Sequence, residues 1–206
     1  MTFFDDAESR LPLREVNRAK GLALTEIAIQ TRDQSIAVRA EEQLLPPHLL
    51  NAPLEEIFLE LEDDPRVIEA LGSIYQMTER SESAVLAWLR ALKASPRSES
   101  IASKLAALYL ERTDWDSARK HWLLAIELNP YVASYHGRLA MTLASIDLLE
   151  DAIASATTAL ELDPTYVQMH ELLGRIYRRQ NRLEDANREE DAARAKKRLL
   201  GEPKSS

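Results

Sequence analysis

The sequence predicts an all-α fold made of stacked helical hairpins, and three observations support this prediction. Alanine and leucine supply most of the apolar content, which is 45% of the 206 residues, whereas glycine occurs only 5 times. Such a composition favours helices. The same residue types also recur every 34 positions along most of the chain, and a proline closes most of these periods. Proline ends a helix because it lacks an N–H and clashes with the preceding turn.

The first 64 residues do not keep this period, and we expect three helices in them. The helices are predicted from Leu13 to about Thr31, from Gln34 to Leu45, and from Leu54 to Leu61, with Pro46 and Pro47 ending the second. The candidate core residues of the first helix are Val16, Leu22, Leu24, Ile27 and Ile29. Residues 1–64 are interpreted as a divergent segment, either a degenerate repeat or a cap on the repeats. A helix that folds into the groove of the array is the alternative.

From residue 65 onward, several columns of residues are spaced by 34. They contain prolines (Pro96, Pro130, Pro164) and two sets of alanines (Ala84, Ala118, Ala152, Ala186 and Ala91, Ala125, Ala159, Ala193). Each unit is predicted to contain one apolar helix, a polar break and a second helix. The small residues permit close approach of the two helices, and bulky residues such as Tyr75 and Trp88 fill the space between them. One hairpin cannot bury its apolar face alone, so neighbouring hairpins must stack.

These columns resemble the tetratricopeptide repeat family, whose motif is a large residue, Leu-Gly, Tyr, Ala, an aromatic residue, Ala and Pro. The first unit, 65–98, matches every column with Ile68, Leu71, Gly72, Tyr75, Ala84, Trp88, Ala91 and Pro96. The units 99–132, 133–166 and 167–200 follow, and the last one departs with Glu190 at the aromatic column. The resemblance implies a right-handed α-solenoid of four helix-turn-helix repeats over 65–200. Residues 201–206 are expected to be a frayed tail.

The resemblance also implies a binding groove, because the first helices of such repeats line the concave face. The middle of this groove is small and mildly apolar, and one end is basic, so we expect a peptide or helix with apolar side chains and an acidic end. A clamp for chaperone C-termini is not expected, since Glu69, Ser73, Ser103 and Ala107 stand at its positions. The predicted groove residues are Ser73, Gln76, Ser103, Ala107, Leu110, Gly137, Met141, Ala144, Glu171, Arg175 and Arg178.

Four arginines lie along one face of the predicted helix near residue 178. Arg175, Arg178, Arg179 and Arg182 are spaced by i, i+3, i+4 and i+7, which places them on one side of a helix. They predict recognition of a carboxylate or phosphate on the partner. The alternative is a solvated face that is paired with nearby Glu184, Asp185 and Glu189.

The charge distribution bears on partners. The net charge of −8 argues against a nucleic-acid or anionic-membrane surface. Residues 1–64 contain 14 acidic and 6 basic side chains, whereas residues 175–206 contain 10 basic and 6 acidic ones. A homo-oligomer that joins the acidic N-terminal end to the basic C-terminal end is therefore possible, although solvated faces are the simpler interpretation.

The sequence carries no sign of an active site. It has no cysteine, no Gly-rich phosphate loop and no nucleophile or zinc motif, so we expect no cofactor, no metal and no enzymatic activity. His136 and His170 occupy equivalent columns and are expected to be structural. Asp114 and Asp116 are interpreted as a turn and helix N-terminus, where acidic side chains favour the helix dipole.

A non-catalytic scaffold or adaptor is therefore the predicted function, with a partner protein bound in the groove. The alternative is a repeat module of a larger exported redox or envelope assembly. Asn129, Pro130, Tyr131, Tyr135 and His136 look somewhat like repeats attached to bacterial multihaem cytochromes. No signal peptide and no apolar stretch of about 18 residues is present, so a cytoplasmic protein is expected; a fragment of an exported protein would look the same.

Overall fold

The structure, a computed structural model, describes residues 13–61, 64–199 and 201. The regular elements of these residues are helical, which confirms the predicted all-α class. The predicted tail lies outside the described residues apart from Gly201. The α-helices of the described residues are α1 (Leu13–Thr31), α2 (Gln34–Leu44), α3 (Leu54–Glu60), α4 (Pro65–Met77), α5 (Ser81–Ala94), α6 (Glu99–Glu111), α7 (Trp115–Leu128), α8 (Ala133–Ser145), α9 (Leu149–Leu162), α10 (Val167–Arg179) and α11 (Leu183–Leu199).

The chain divides into two compact units, Met1–Ile101 and Ala102–Ser206, with the boundary inside α6. In the first unit α1 packs on α2 and α4 packs on α5, and both α1 and α2 also contact α4. In the second unit α8 packs on α9 and α10 packs on α11. Further contacts join α7 to α8 and α9 to α10. Each unit is thus built from helical hairpins in sequence order.

The turn inside each hairpin contains one residue with a left-handed backbone. These residues are Arg32, Glu79, Thr113, Asp147 and Asn181, with φ between 55° and 65°. The last four are 34 positions apart, so the period extends to the turns. Glycine adopts this conformation most readily, yet none of the five is glycine. The residue types in the sequence columns predicted a polar break between the helices, but they did not identify which residue of the turn has a left-handed backbone.

Acidic residues begin several helices. Asp33 accepts hydrogen bonds from the N–H groups of Ser35 (2.8 Å) and Ile36 (3.4 Å) at the start of α2. Asp114 accepts one from the Ser117 N–H (3.2 Å) at the start of α7, which confirms its interpretation as a helix N-terminus. Each bond satisfies a backbone donor that has no partner within the helix.

In the first unit, small residues allow the two helices of a hairpin to touch. A Cβ atom on Gly72 of α4 would lie 2.4 Å from Cδ1 and Nε1 of Trp88 in α5. The indole is fully buried, and its Nε1–H donates to the carbonyl oxygen of Glu69 (3.1 Å). Gly21 of α1 has the same role against Leu44 of α2, where a Cβ would lie 2.6 Å from Cγ.

The buried face of α1 differs from the prediction. Ile27 and Ile29 are exposed (44% and 46%), so their expected place in the core was wrong. The close contact between Gly21 and Leu44 leaves room only for slim side chains on the face towards α2. The buried residues of this helix are Val16, Gly21, Thr25 and Ala28.

An ion pair ties α2 to the following hairpin. Glu41 is buried, and both of its carboxylate oxygens accept hydrogen bonds from the Arg80 guanidinium (3.0 and 2.5 Å). The guanidinium also lies over the ring of Tyr75, 4.4 Å from its centroid. Burial, and then the nearby Glu41 charge, raise the pKa of Tyr75 to about 12. The N-terminal segment is therefore attached to 65–98 by a charged contact as well as by packing.

The second unit has a core made of the predicted small and large columns. Trp122 fills space beside the alanines, and its ring packs against Tyr135 with the centroids 5.8 Å apart. The buried residues of this core are Ala102, Ala106, Ala118, Trp122, Ala125, Leu139, Ala140, Leu143, Ala152, Ala156, Ala159, Met169, Leu172, Leu173 and Ile176.

Candidate functional site

Two of the predicted groove residues, Ser73 and Gln76, lie in the first unit on α4. Ser73 is buried, and its hydroxyl donates to the Glu69 carbonyl oxygen (3.3 Å) of its own helix. It cannot contact a ligand without a change in packing, so its expected role as a contact residue is corrected. Gln76 is half-buried.

The second unit holds the remaining predicted residues, on α6, α8 and α10. On α6, Ser103, Ala107 and Leu110 are half-buried. On α8, Gly137 is buried, and a Cβ there would lie 2.6 Å from Cε1 of Tyr166. Gly137 is therefore a packing position beneath this ring and not an open groove position, which corrects its predicted role.

The other two residues of α8 face an open space. Met141 is an exposed apolar side chain at 40%, and Ala144 is half-buried. Exposed aliphatic side chains are common singly, so the meaning of Met141 depends on what surrounds it.

On α10, two of the three predicted residues are neutralised by the final helix α11. Glu171 pairs with Lys197 (2.7 Å), and the Arg178 guanidinium donates two hydrogen bonds to the Glu190 carboxylate (2.8 and 2.7 Å). Arg175 is exposed and makes no ion pair with any described residue. The four arginines therefore do not act as one cluster.

The remaining two arginines are also engaged. Arg179 pairs with Asp147 (2.7 Å) in the turn between α8 and α9. Arg182 donates to Asp185 (2.9 Å) and lies over the ring of Tyr177, 4.3 Å from its centroid. The predicted partners were nearby acids, and Asp185 was among them, whereas Glu190 and Asp147 were not foreseen.

A cleft of about 290 Å³ opens between α8 and α10 and combines these features. Its floor is apolar, its rim carries Arg175 and Arg179, and three of the predicted residues, Met141, Ala144 and Arg175, line it. Sequence reasoning missed the floor, because Leu172 and Ile176 belong to core columns and line the cleft at the same time. The lining residues are Met141, Ala144, Ser145, Leu149, Leu172, Arg175, Ile176 and Arg179.

Larger clefts open in the first unit. One, of about 460 Å³, lies between α1 and α2, with Lys20, Arg39 and Glu42 among its lining residues. Cationic and anionic side chains both line it, and none of its residues was predicted as a contact. The α8–α10 cleft is smaller, but three of the predicted residues line it, and it combines an apolar floor with a cation that pairs with no acid in the described part of the chain.

The histidines of the second unit have structural contacts. The Nε2 atom of His136 lies 2.9 Å from the Pro130 carbonyl oxygen, and Nδ1 of His170 lies 2.7 Å from the Glu189 carboxylate. His121 is buried and stacks on Tyr109 with the ring centroids 5.5 Å apart. Burial, and then Lys120, lower the pKa of His121.

Two properties of the described residues bear on the kind of site. No cluster of three or more His, Asp or Glu side chains within 13–61, 64–199 and 201 could hold a metal ion. None of the helices in this part of the chain combines the length and the apolar character needed to cross a membrane.

Comparisons with known proteins agree with the hairpin architecture. Residues 133–166, which contain α8 and α9, match the family model described as tetratricopeptide repeat. Solved structures of MamA have a similar fold: MamA MSR-1 in crystal form C2 has a TM-score of 0.74 and 21% identity, over 91% of this chain and 98% of that one. MamA AMB-1 in crystal form P212121 has a TM-score of 0.73 and 23% identity, over 93% of each chain. The MamA RS-1 ArsTM double mutant has a TM-score of 0.74 and 16% identity, over 89% of this chain and 96% of that one. Among proteins of curated function, none matches the sequence.

Proposed function

We propose that this chain, whose residues 133–166 match the tetratricopeptide repeat family model, is a non-catalytic scaffold whose α8–α10 cleft binds a segment of a partner protein. The observation that carries the proposal is the exposed Met141 beside an apolar floor, with an arginine at the rim, Arg175, that has no ion pair among the described residues. Burial of such a surface by a partner is favourable, and the net affinity is what remains after the cost of association and of ordering the bound segment. Polar groups at the rim then fix the orientation of the bound segment.

The size of the cleft is compatible with a side-chain anchor of a partner protein. A volume of about 290 Å³ lies at the lower limit of small-molecule sites, which occupy about 300–1,000 Å³. His136 and His170 do not line the cleft and are held in hydrogen bonds with Pro130 and Glu189. The cleft therefore offers contact and orientation, and no nucleophile with an adjacent base lines it.

Selection of peptides from a random displayed library tests this function. The protein is compared with the variant Met141→Glu, which places a charge over the apolar floor. Leu123→Glu is the matched control, because Leu123 is also an exposed apolar residue (51%, against 40% for Met141) and lies on α7, outside the cleft. We expect peptides that bind the wild type and Leu123→Glu to lose binding to Met141→Glu.

The proposal is wrong if both variants bind the selected peptides equally well. It is also wrong if repeated selection yields no peptide that competes for the cleft. Circular dichroism of both variants excludes unfolding as the reason for lost binding, since both positions are exposed.

Self-association between the acidic N-terminal end of one molecule and the basic C-terminal end of another stays a prediction. At the basic end, Arg188 and Arg194 are already paired within α11, with Asp185 (3.3 Å) and Asp191 (3.3 Å). These pairs reduce the positive charge available to another molecule. If the ends do associate, sedimentation at low salt shows dimers that dissociate at high salt, whereas a monomer at every salt concentration rejects the idea.

The compartment and the alternative function also stay predictions. No contact described above favours a redox or envelope assembly over a cytoplasmic scaffold.

A further inference from the structure

At the rim of the α8–α10 cleft, Arg175 has no ion pair with any residue that the structure describes, and this cation defines the partner more narrowly. We propose that the cleft recognises one aliphatic side chain together with one neighbouring carboxylate, and that Arg175 alone receives this carboxylate. The inference rests on the proposed function and specifies the partner of the same site.

The neutralisation of the neighbouring arginines assigns this role to Arg175. Glu190 occupies Arg178 through two hydrogen bonds, and Asp147 occupies Arg179 at 2.7 Å. Arg182 is held by Asp185 and by the ring of Tyr177. Within α10 and the turn that follows it, Arg175 is thus the arginine that has no ion pair with a described residue.

The final helix α11 explains in large part why Arg175, and not Arg178, is available to a carboxylate of the partner. Without Lys197 and Glu190, the face of α10 would present Glu171, Arg175 and Arg178 together. Because Lys197 pairs with Glu171 and Glu190 pairs with Arg178, Arg175 remains to receive an acidic side chain of the partner on this face of α10. A guanidinium binds one carboxylate with two parallel hydrogen bonds, which suits a single acidic side chain.

The composition of the chain supports the proposal that the carboxylate bound by Arg175 belongs to another molecule. The protein contains 34 acidic and 26 basic residues, so intramolecular partners for an arginine are abundant. Arg175 nevertheless has none among the described residues and lies beside the apolar cleft, where a bound segment would shield the contact from water.

The floor of the cleft defines the other half of the ligand. Leu172 and Ile176 are buried beneath it, and Met141 overhangs it. The flexible thioether of methionine adapts to aliphatic side chains of different shapes. The volume of about 290 Å³ leaves room for one or two side chains of leucine size.

Binding of three peptides to the full chain, followed by the NMR signal of the Met141 methyl group, tests the inference. The probes are acetylated, amidated Ala-Ala-Leu-Leu-Glu-Ala-Ala and two versions with glutamine or phosphoserine in place of glutamate. The sequence has only 4 methionines, so methyl-¹³C methionine labelling gives a simple spectrum, and Met141→Leu assigns the signal of Met141. The shift of this signal reports binding in the cleft.

We expect the glutamate peptide to bind about tenfold more tightly than the glutamine peptide, in line with one charge-assisted hydrogen-bonded pair. Arg175→Gln should remove this difference, and salt should reduce it. Arg178→Gln is the matched control and should retain it, since Glu190 already occupies that arginine. Circular dichroism confirms that both variants fold.

Several results would overturn the inference. Equal affinity of the glutamate and glutamine peptides, with the Met141 methyl still shifting, rejects the role of Arg175 but leaves the proposed function standing. If Arg178→Gln removes the difference in affinity between the glutamate and glutamine peptides, several cations act together. The same follows if the phosphoserine peptide binds about tenfold more tightly than the glutamate peptide. Absence of any Met141 shift with all three peptides rejects the inference, and failure of the library selection as well rejects the proposed function.

Discussion

At the scale of single residues, the glycine column shows how the partner of each small residue determines its importance. Gly72 and Gly174 occupy the same column of their repeats. A Cβ on Gly72 would lie 2.4 Å from the rigid Trp88 ring, whereas a Cβ on Gly174 would lie 3.1 Å from Cγ of the flexible Glu190 side chain. Two identical substitutions in this column should therefore have different effects.

We predict that Gly72→Ala lowers the free energy of unfolding by about 1–3 kcal/mol, because the indole cannot move aside. Gly174→Ala should be neutral or raise it by up to about 1 kcal/mol, since alanine favours helix and Glu190 can shift. Urea denaturation of both variants measures the difference. Equal losses for the two variants would contradict this account of the column.

His121 links stability to pH. Its buried ring has a lowered pKa, and its Nδ1 atom is buried without a hydrogen-bond partner. The unfolded chain therefore takes up a proton near pH 6.5, whereas the folded chain resists it. The contribution of His121 is complete above about pH 6.5 and is lost as the pH falls towards its lowered folded-state pKa.

The test is to compare urea midpoints of the wild type and His121→Phe between pH 7.5 and pH 5. The phenyl ring retains the stack on Tyr109 and cannot be protonated, so the variant should lose less stability on acidification. An identical pH dependence in the two proteins would exclude His121 as the cause.

At the scale of elements, the 34-residue period predicted the helices of 65–200, and proline and alanine columns marked their ends and contacts. The period could not reveal the left-handed turn residues, since Glu79, Thr113, Asp147 and Asn181 share no residue type. Thr113 is the least favourable of them because it is β-branched.

We predict that Thr113→Gly raises the free energy of unfolding by about 0.5–1 kcal/mol, since relief of the left-handed strain exceeds the added flexibility of the unfolded chain. Asn181→Gly in the same column should gain less, because asparagine tolerates this backbone. Thermal unfolding measures both effects. A loss of stability in Thr113→Gly would show that this turn stores no such strain.

In the candidate site, three residues that the sequence columns selected, Met141, Ala144 and Arg175, line one cleft, and their role in binding stays a prediction. They could not separate Arg175 from Arg178, because the difference arises from Glu190 on another helix. Gly137 was misplaced for a similar reason, since the Tyr166 ring that covers it comes from the following hairpin region. Patterns within one helix do not predict contacts that another helix supplies.

At the scale of the whole molecule, the repeats are preceded by a segment that no repeat column describes. In the first unit, α1 and α2 form a hairpin with a close Gly21–Leu44 contact, and Glu41 joins it to Arg80. The interpretation of residues 1–64 as a degenerate repeat or a cap stays a prediction, and the ion pair offers a way to examine how firmly this segment is attached.

We predict that Arg80→Ala lowers the free energy of unfolding by about 1–3 kcal/mol, because it leaves the buried Glu41 carboxylate without a partner. Arg182→Ala is the matched control: Arg182 also lies over a tyrosine ring, but its acidic partner, Asp185, is only half-buried and also pairs with Arg188. Its loss should stay below about 1 kcal/mol. Equal losses in urea denaturation would mean that ring stacking, and not the buried carboxylate, dominates.

The proposed binding of a partner segment in the α8–α10 cleft can be examined by covalent capture. A photo-crosslinking amino acid placed at exposed Ser145, on the cleft wall, tests it against the same group at exposed Thr157 on α9. With a peptide selected by the wild-type protein, we predict crosslinking at Ser145 and not at Thr157. Crosslinking at Thr157 alone, or equal yields at both positions, would contradict the claim.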